Sequence, residues 1–318
     1  QFWLKPESNR APDLLCPSTR RLALAAAMRT LQILLLAITV TLLSRLLPRQ
    51  GPRFWCSLLG RCDGSATTTA SCRAAALPTP TLEELEALGR PLPHYMIHAE
   101  GGDEGRALVR WMKTLKWRCE IGDESMLARP HPNLERISPH FPQFLHLPDR
   151  AGRLTYWELV GKLDERAMRK HGLKPDDLFQ HYIWSTLFTW DVAAGDDSQE
   201  VTVIADFADF RISVLTPTVL KVFMRVAKVL RSHFPSREHG IFVINAPPWI
   251  ETAYKMVRPL ISEAQREKVR VIHGREQSEA ALRELIHPSN LPPDYGGTGP
   301  PLGASPWELR KREMAKHR

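Results

Sequence analysis

The run IFVINAPPWIETAYKMVRPLISEAQREKVRVIHG occupies residues 241–274. Two β-branched apolar runs, Ile241–Asn245 and Val269–Ile272, flank a segment whose apolar residues recur at helical spacing. Strand, helix and strand in that order predict an α/β architecture. Upstream the alternation continues. Arg153–Val160 and Val201–Phe207 read as strands, and Asp176–Trp190 reads as a helix with Phe179, Tyr182, Ile183 and Phe188 on its inner face. Thr216-Pro217 supplies an N-cap and a first-turn proline for a helix reaching about Ser232. The expectation is a mostly parallel sheet with flanking helices, preceded by a small helical domain.

Working outward, Asp149-Arg-Ala-Gly152 is a turn, and Pro139–Asp149 is a proline-punctuated extended approach to it. Arg106–Cys119 carries Leu108, Trp111, Met112 and Leu115 on one helical stripe, and Thr81-Leu-Glu-Glu84 is a capping box. Residues 1–50 hold an apolar targeting or anchor segment, 51–80 a linker, 81–128 the small helical domain, 129–297 the main domain and 298–318 a basic tail. Thr30–Ser44 is free of charge, but fifteen helical residues rise only about 22 Å against a hydrocarbon core of about 30 Å. A signal, an anchor using Leu22–Leu47 and an accessory helix all remain open for this stretch.

A net charge of +8 favours an anionic partner. No zinc-finger spacing, aromatic RNA-binding motif or dense basic block is present, so a membrane surface is expected and nucleic acid is not. The five cysteines, Cys16, Cys56, Cys62, Cys72 and Cys119, show no C-x-x-C pair. They are expected as free thiols, with pairing among Cys56, Cys62 and Cys72 as the alternative in an oxidising lumen. No nucleophile elbow, phosphate loop, dinucleotide fingerprint or zinc-protease motif occurs, and the 12 histidines lack metal-ligand spacing. Asp206 and Asp209 at a strand end are expected to shape a turn. Neither catalysis, a cofactor nor a bound metal is expected.

Asn245-Ala-Pro247, Lys268-Val-Arg-Val-Ile-His-Gly274 and Leu291-Pro-Pro-Asp-Tyr-Gly-Gly297, with Phe141-Pro-Gln and Asp149-x-x-Gly-Arg153 upstream, resemble the CRAL-TRIO lipid-binding family over roughly residues 129–297. The resemblance implies a sheet floor and helical wall enclosing an apolar pocket, closed by a movable helix at about 249–260. Trp249, Ile250 and Tyr254 would form that gate, and Phe179, Tyr182, Val201, Val203, Val257 and Leu260 the pocket. It also implies a headgroup site at Lys268, Gln265, Ser236 and Lys116, in which Gln265 and Ser236 depart from the phosphoinositide pattern. Val201 and Val203 stand where hydroxyls would hold choline phosphate, and Asp209 where the family has glycine. The implied function is binding and transfer of a lipid, a phospholipid such as phosphatidylinositol, by a cytoplasmic monomer peripheral to membranes. The other reading is a lipid-responsive adaptor. Independently of the resemblance, Lys221, Arg225 and Lys228 form a basic stripe opposite the apolar residues of their helix, suited to anionic lipid.

Overall fold

The computed structural model describes residues 69–235, 237–257 and 263–316. Residues 1–50, expected as a targeting segment, lie outside the described residues, as do Ser236 and Leu260.

Five helices open the described chain: α1 (Ala70–Ala75), α2 (Leu82–Ala87), α3 (His94–Ala99), α4 (Glu104–Ile121) and α5 (Asp123–Ala128). Thr81 and Glu84 close a reciprocal capping box on α2. Asp103 caps α4 through the Arg106 amide, and Gly122 at φ 63° ends it in the left-handed region. On α4, Trp111 and Leu115 are buried, and they pack with Leu85, Tyr95 and Met96 into a small core of their own.

Helix α1 falls inside the segment read as a linker, with Thr69 capping it. A disulfide joins its Cys72 to Cys119 of α4. This corrects the expectation of free thiols. The sequence gives no spacing cue to the pairing, because the two cysteines stand 47 residues apart and meet only when α1 lies along α4.

The main sheet has strands β1 (Gln143–His146), β2 (Thr155–Glu158), β3 (Val201–Asp206), β4 (Glu238–Ile244) and β5 (Val269–Val271), side by side in chain order. Strands β2 to β5 pair in parallel and β1 pairs antiparallel with β2. Helices α6 (Leu134–Ile137), α7 (Glu165–Lys170), α8 (Pro175–Leu187), α9 (Pro217–His233), α10 (Pro248–Val257), α11 (Glu263–Lys268), α12 (Arg275–Leu285) and α13 (Pro306–Lys316) complete the element order. A π-helical stretch, Phe188–Ala193, extends α8. The expected α/β class with a mostly parallel sheet is the observed one.

Register makes the two sheet faces different. Tyr156, Val203, Ile241 and Val269 lie opposite one another across four strands, and the next row is Trp157, Ile204, Phe242 and Arg270. Successive residues of a strand point to opposite faces, so these rows serve opposite sides. On the second face Trp157, Ile204, Phe242 and Ile244 pack with Leu282, Ile286, Leu291 and Tyr295 into a solid core. Gly297 ends the Leu291–Gly297 motif beneath it, where a Cβ would stand 1.9 Å from the Leu291 carbonyl oxygen.

β1 is an edge strand, and α13 covers it. The Ser305 hydroxyl donates to the Leu145 carbonyl, and the Leu145 amide donates to Glu308 Oε2 at 3.1 Å. Glu308 and Lys311 are both buried, with charged atoms 3.7 Å apart. The stretch read as a basic tail therefore includes a helix seated on the sheet.

Reducing the Cys72–Cys119 bridge is expected to lower stability by roughly 2–4 kcal/mol, because it frees a long loop in the unfolded chain. Denaturant midpoints with and without a dithiol reductant measure this. Equal midpoints, with thiol titration showing the bridge opened, would contradict it.

Candidate functional site

The face opposite the solid core is open. A cavity of about 280 Å³ lies over it. Its floor is Tyr156 and Glu158 of β2, Val201, Val203 and Ala205 of β3, and Ile241 of β4. Its roof is Tyr182, Ser185 and Thr186 of α8, Thr189 and Trp190 of the π-helical stretch, and Leu230 of α9, with Glu238 at one side. Alternation along β3 brings Val201, Val203 and Ala205 inward together. Of the expected pocket residues, Tyr182, Val201 and Val203 line this cavity. Phe179 lies in the core between α8 and α9, with the Arg225 guanidinium 4.0 Å above its ring. Val257 closes the described part of α10 and Gln265 lies on α11.

The cavity has a polar end that the sequence reading did not identify. Glu158 Oε1 accepts from Gln143 Nε2 at 3.0 Å and from the Tyr182 hydroxyl at 3.1 Å. Behind Gln143, its Oε1 faces His181 Nε2 at 3.1 Å, and His181 Nδ1 faces His131 Nε2 at 3.0 Å. With the Gln143 amide donating to the carboxylate, Gln143 Oε1 accepts from His181 Nε2, and with both rings neutral His181 Nδ1 accepts from His131 Nε2. Burial agrees, pushing His131 down to about 4 and His181 well below the usual range.

Glu158 is half-buried, because the cavity reaches it, yet protein surrounds it on every side. Burial pushes its carboxyl up to about 7, against the lowering effect of its hydrogen-bond donors. Ser185 lines the same cavity, and its buried hydroxyl has no partner among the described residues. The available signal was a glutamate on the inward register of an otherwise apolar strand.

Helix α10 stands over the far part of this face. A second hollow of about 360 Å³ is lined by its Glu251, Tyr254 and Lys255 together with Val269 and Val271 of β5, Arg266 and His273. Asn245, at φ 50°, turns the chain into α10, and its side-chain amide donates to Asp206 Oδ1 at 2.8 Å. Trp249 leans on Phe210 with ring centroids 5.9 Å apart, and the Tyr254 hydroxyl donates to the Arg266 carbonyl at 3.3 Å. His273 faces two acceptors, the Ala246 carbonyl at 2.9 Å and Glu251 Oε2 at 3.2 Å.

Helix α10 is strongly amphipathic, yet Trp249, Ile250 and Tyr254 are all only half-buried. The comparison is α9, equally amphipathic, whose Val219, Val222, Val226 and Val229 are all buried.

The other expected residues are more scattered. Lys268 Nζ donates to the Glu238 carbonyl and stands 4.0 Å from Glu200 Oε1. Lys116 lies on the exposed side of α4. On α9, Lys221 and Lys228 are exposed, whereas Arg225 pairs with Asp176 at 2.6 Å as well as stacking on Phe179. Asp206 is engaged by Ala208, Asn245 and Tyr295, and exposed Asp209 pairs with Lys162 at 3.2 Å. Asp209 adopts φ 61°, the left-handed conformation that favours glycine. These carboxylates shape the turn.

Comparison with known proteins bears on this arrangement. The CRAL/TRIO domain profile matches residues 139–297. The chain is 26% identical over 213 residues to the phosphatidylinositol/phosphatidylcholine transfer protein SFH4 of Arabidopsis thaliana, covering 64% of this chain and 34% of that protein. It is 26% identical over 200 residues to the Sec14 cytosolic factor of Schizosaccharomyces pombe, covering 60% and 68% respectively. The crystal structure of Sfh5 aligns with a TM-score of 0.48 at 14% identity, covering 59% of this chain and 66% of that one. The chain thus spans about a third of the length of the first of these relatives.

The buried groups give the fold opposing responses to acid. Between about 4.5 and 7 the folded state keeps a proton on Glu158 that the unfolded chain has released, so this group lowers stability as pH rises through that interval. Its contribution is up to about 3 kcal/mol. His131, held at about 4, and His233, held at about 3 by burial, work in reverse. Below the usual 6.5 the unfolded chain takes up their protons first, so stability falls as pH falls. Glu158→Gln removes the term that favours the folded state in acid. Its thermal midpoint is therefore expected to fall more steeply than the wild type's between pH 6.5 and 4.5. Parallel profiles would refute the assignment.

Proposed function

The chain belongs to the CRAL/TRIO domain family, a family of lipid carriers and not of enzymes, and from the geometry we propose that it holds a hydrophobic lipid on the open sheet face and exchanges it with membranes by moving α10. The observation that carries this reading is α10 itself. Helix α9 buries Val219, Val222, Val226 and Val229, whereas Trp249, Ile250 and Tyr254 of α10 are half-covered above hollows in the same sheet face. Rows of the sheet running from Tyr156 to Val269 floor both hollows, so displacement of α10 would join them over a continuous apolar surface.

The energetics require such a gate. A buried methylene contributes about 0.8 kcal/mol, so a 16-carbon chain is held against water by about 12 kcal/mol. Release into water would be too slow to serve transfer. Exchange therefore takes place with the open protein on a bilayer, and the exposed Lys221 and Lys228 of α9 are suited to contact anionic lipid there. Arg225 contributes little to that contact, because Asp176 already neutralises it.

The ligand is a hydrophobic lipid. The name of the Arabidopsis relative supports a phospholipid such as phosphatidylinositol. Against it stand Lys268, whose ammonium is engaged by Glu238 and Glu200, and Glu158 and Glu238 on the cavity lining. The name of the fission-yeast relative supports cytoplasmic action. Among the described residues no helix is long and apolar enough to cross a membrane.

Lipid extraction and native mass spectrometry of the purified chain, followed by transfer between donor and acceptor vesicles, test the reading. A copurifying lipid and transfer above the protein-free rate are expected, and paired Trp249→Asp and Ile250→Asp changes should abolish transfer. No bound lipid and no transfer would overturn it. Lys221→Glu with Lys228→Glu should weaken binding to anionic vesicles about tenfold or more at low salt, at about 1 kcal/mol per basic residue lost. Unchanged vesicle affinity would remove α9 from the membrane contact.

A further inference from the structure

The small helical domain grips the roof of the cavity at two adjacent residues. Asp191, in the π-helical stretch Phe188–Ala193, accepts from both terminal nitrogens of Arg118 of α4, at 2.7 and 2.9 Å. Its neighbour Trp190 lines the cavity and carries the Arg237 guanidinium 4.1 Å from its ring. That guanidinium also lies 4.6 Å from the Tyr95 ring of α3. A π-helical turn is an uncommon geometry that depends on its surroundings for support. Arg118 is the charged part of that support.

Arg118 is buried, and its second partner is buried Asp123 at the head of α5, at 3.0 Å. Helix α1 lies against this pair. Its Ser71 hydroxyl donates to Asp123 at 3.2 Å, and the Ser71 amide donates to Glu124 at 3.4 Å. The disulfide closes the circuit, since Cys72 follows Ser71 on α1 and Cys119 follows Arg118 on α4. A six-residue helix such as α1 is too short to hold its shape unaided. Ala74 in the small core and the bridge keep it in place over Asp123.

The bridge is within reach of a reductant from one side. Cys119 is half-buried where Cys72 is buried, so a thiolate of a dithiol reductant meets Cys119 Sγ first. The new S–S bond forms there as the Cys72–Cys119 bond breaks, and Cys72 leaves as a thiolate that takes up a proton. The second thiol of the reductant then displaces Cys119 Sγ. Two cysteine thiols are formed, and the dithiol is oxidised to a cyclic disulfide. In the cytoplasm, where such dithiols are abundant, bridges are chiefly transient and redox-sensing.

We propose that the Cys72–Cys119 bridge is a redox latch on the cavity roof. Opening it frees α1 from Asp123 and lets water reach Arg118. Charge pairs weaken in water, so the hold of Arg118 on Asp191 loosens and the stretch 188–193 loosens with it. Bound lipid then leaves faster. The effect on lipid release rests on the carrier reading, whereas the link from bridge to roof does not. Arg118 and Asp191 are positioning residues in this scheme.

The test compares the full chain before and after dithiothreitol, with peptide mapping to show that the bridge has opened. Hydrogen exchange is followed at labelling times short enough that α12 stays protected in both states. Amides of residues 188–193 should then exchange roughly tenfold or more faster after reduction, the scale of one charge-assisted hydrogen bond. A fluorescent acyl probe should leave the reduced chain faster by a similar factor. Asp191→Asn should release the probe rapidly in both states and show no response to dithiol. Cys72→Ser with Cys119→Ser should match the reduced chain throughout, and the comparison within the wild type needs no variant to fold. A bridge that resists the dithiol, or unchanged exchange at 188–193 with the bridge open, would overturn the latch. So would a full response to dithiol in Asp191→Asn. A loosened roof with unchanged probe release would overturn its effect on lipid. If the probe binds neither state, the carrier reading fails while the exchange result still decides the latch.

Discussion

Parallel strands cannot be joined by a tight turn, and this requirement governs the rest of the molecule. Each of the three parallel pairings from β2 to β5 needs a helical crossover. Each crossover must lie on one face of the sheet or the other. Pleating then sorts the side chains: Trp157, Ile204 and Phe242 to one face, Tyr156, Val203 and Ile241 to the other. The first face is filled by α12 and the Leu291–Tyr295 segment. The second is roofed by helices that do not fill it. The solid face stabilises the domain, which leaves its opposite face open to hold something else.

Much of this was legible in the chain because it depends on local periodicity. Ile241–Asn245 and Val269–Ile272 have the composition of buried strands, and Thr216-Pro217 specifies the start of α9 by capping chemistry alone. What escaped was short or distant. β1 has four residues between prolines, too few to show alternation, and α1 has six residues in a stretch without period. The Cys72–Cys119 bridge and the chain linking His131, His181, Gln143 and Glu158 join residues that are neighbours only in space. Periodicity placed Phe179 on the buried face of α8, where it is found, but could not say which neighbour it meets. It shares a helix face with Tyr182, yet the turn it occupies meets α9, where Arg225 covers its ring.

Placing a carboxyl group inside an apolar cavity is costly. The Gln143 and Tyr182 donors to Glu158 reduce that cost without removing it, which is why its proton affinity is raised despite these bonds. A fold that retains such a group keeps its cavity from being a featureless oil-filled space. The half-covered side of α10 has a similar character. Burying Trp249 and Ile250 fully would stabilise the molecule, but the sheet face beneath would then be closed to a ligand.

The seat of α13 on β1 has a practical consequence. The family match ends at residue 297, while Ser305 and Glu308 bond the outer edge of β1 from beyond that point. A recombinant fragment cut at the family boundary would expose the Leu145 amide and carbonyl as an unpaired template for strand addition, the feature that drives edge-to-edge aggregation. It would also uncover the side of His131, whose amide bonds the Ala315 carbonyl. The family match and the set of segments bonded to this sheet are different lengths of chain, and the second includes the last helix.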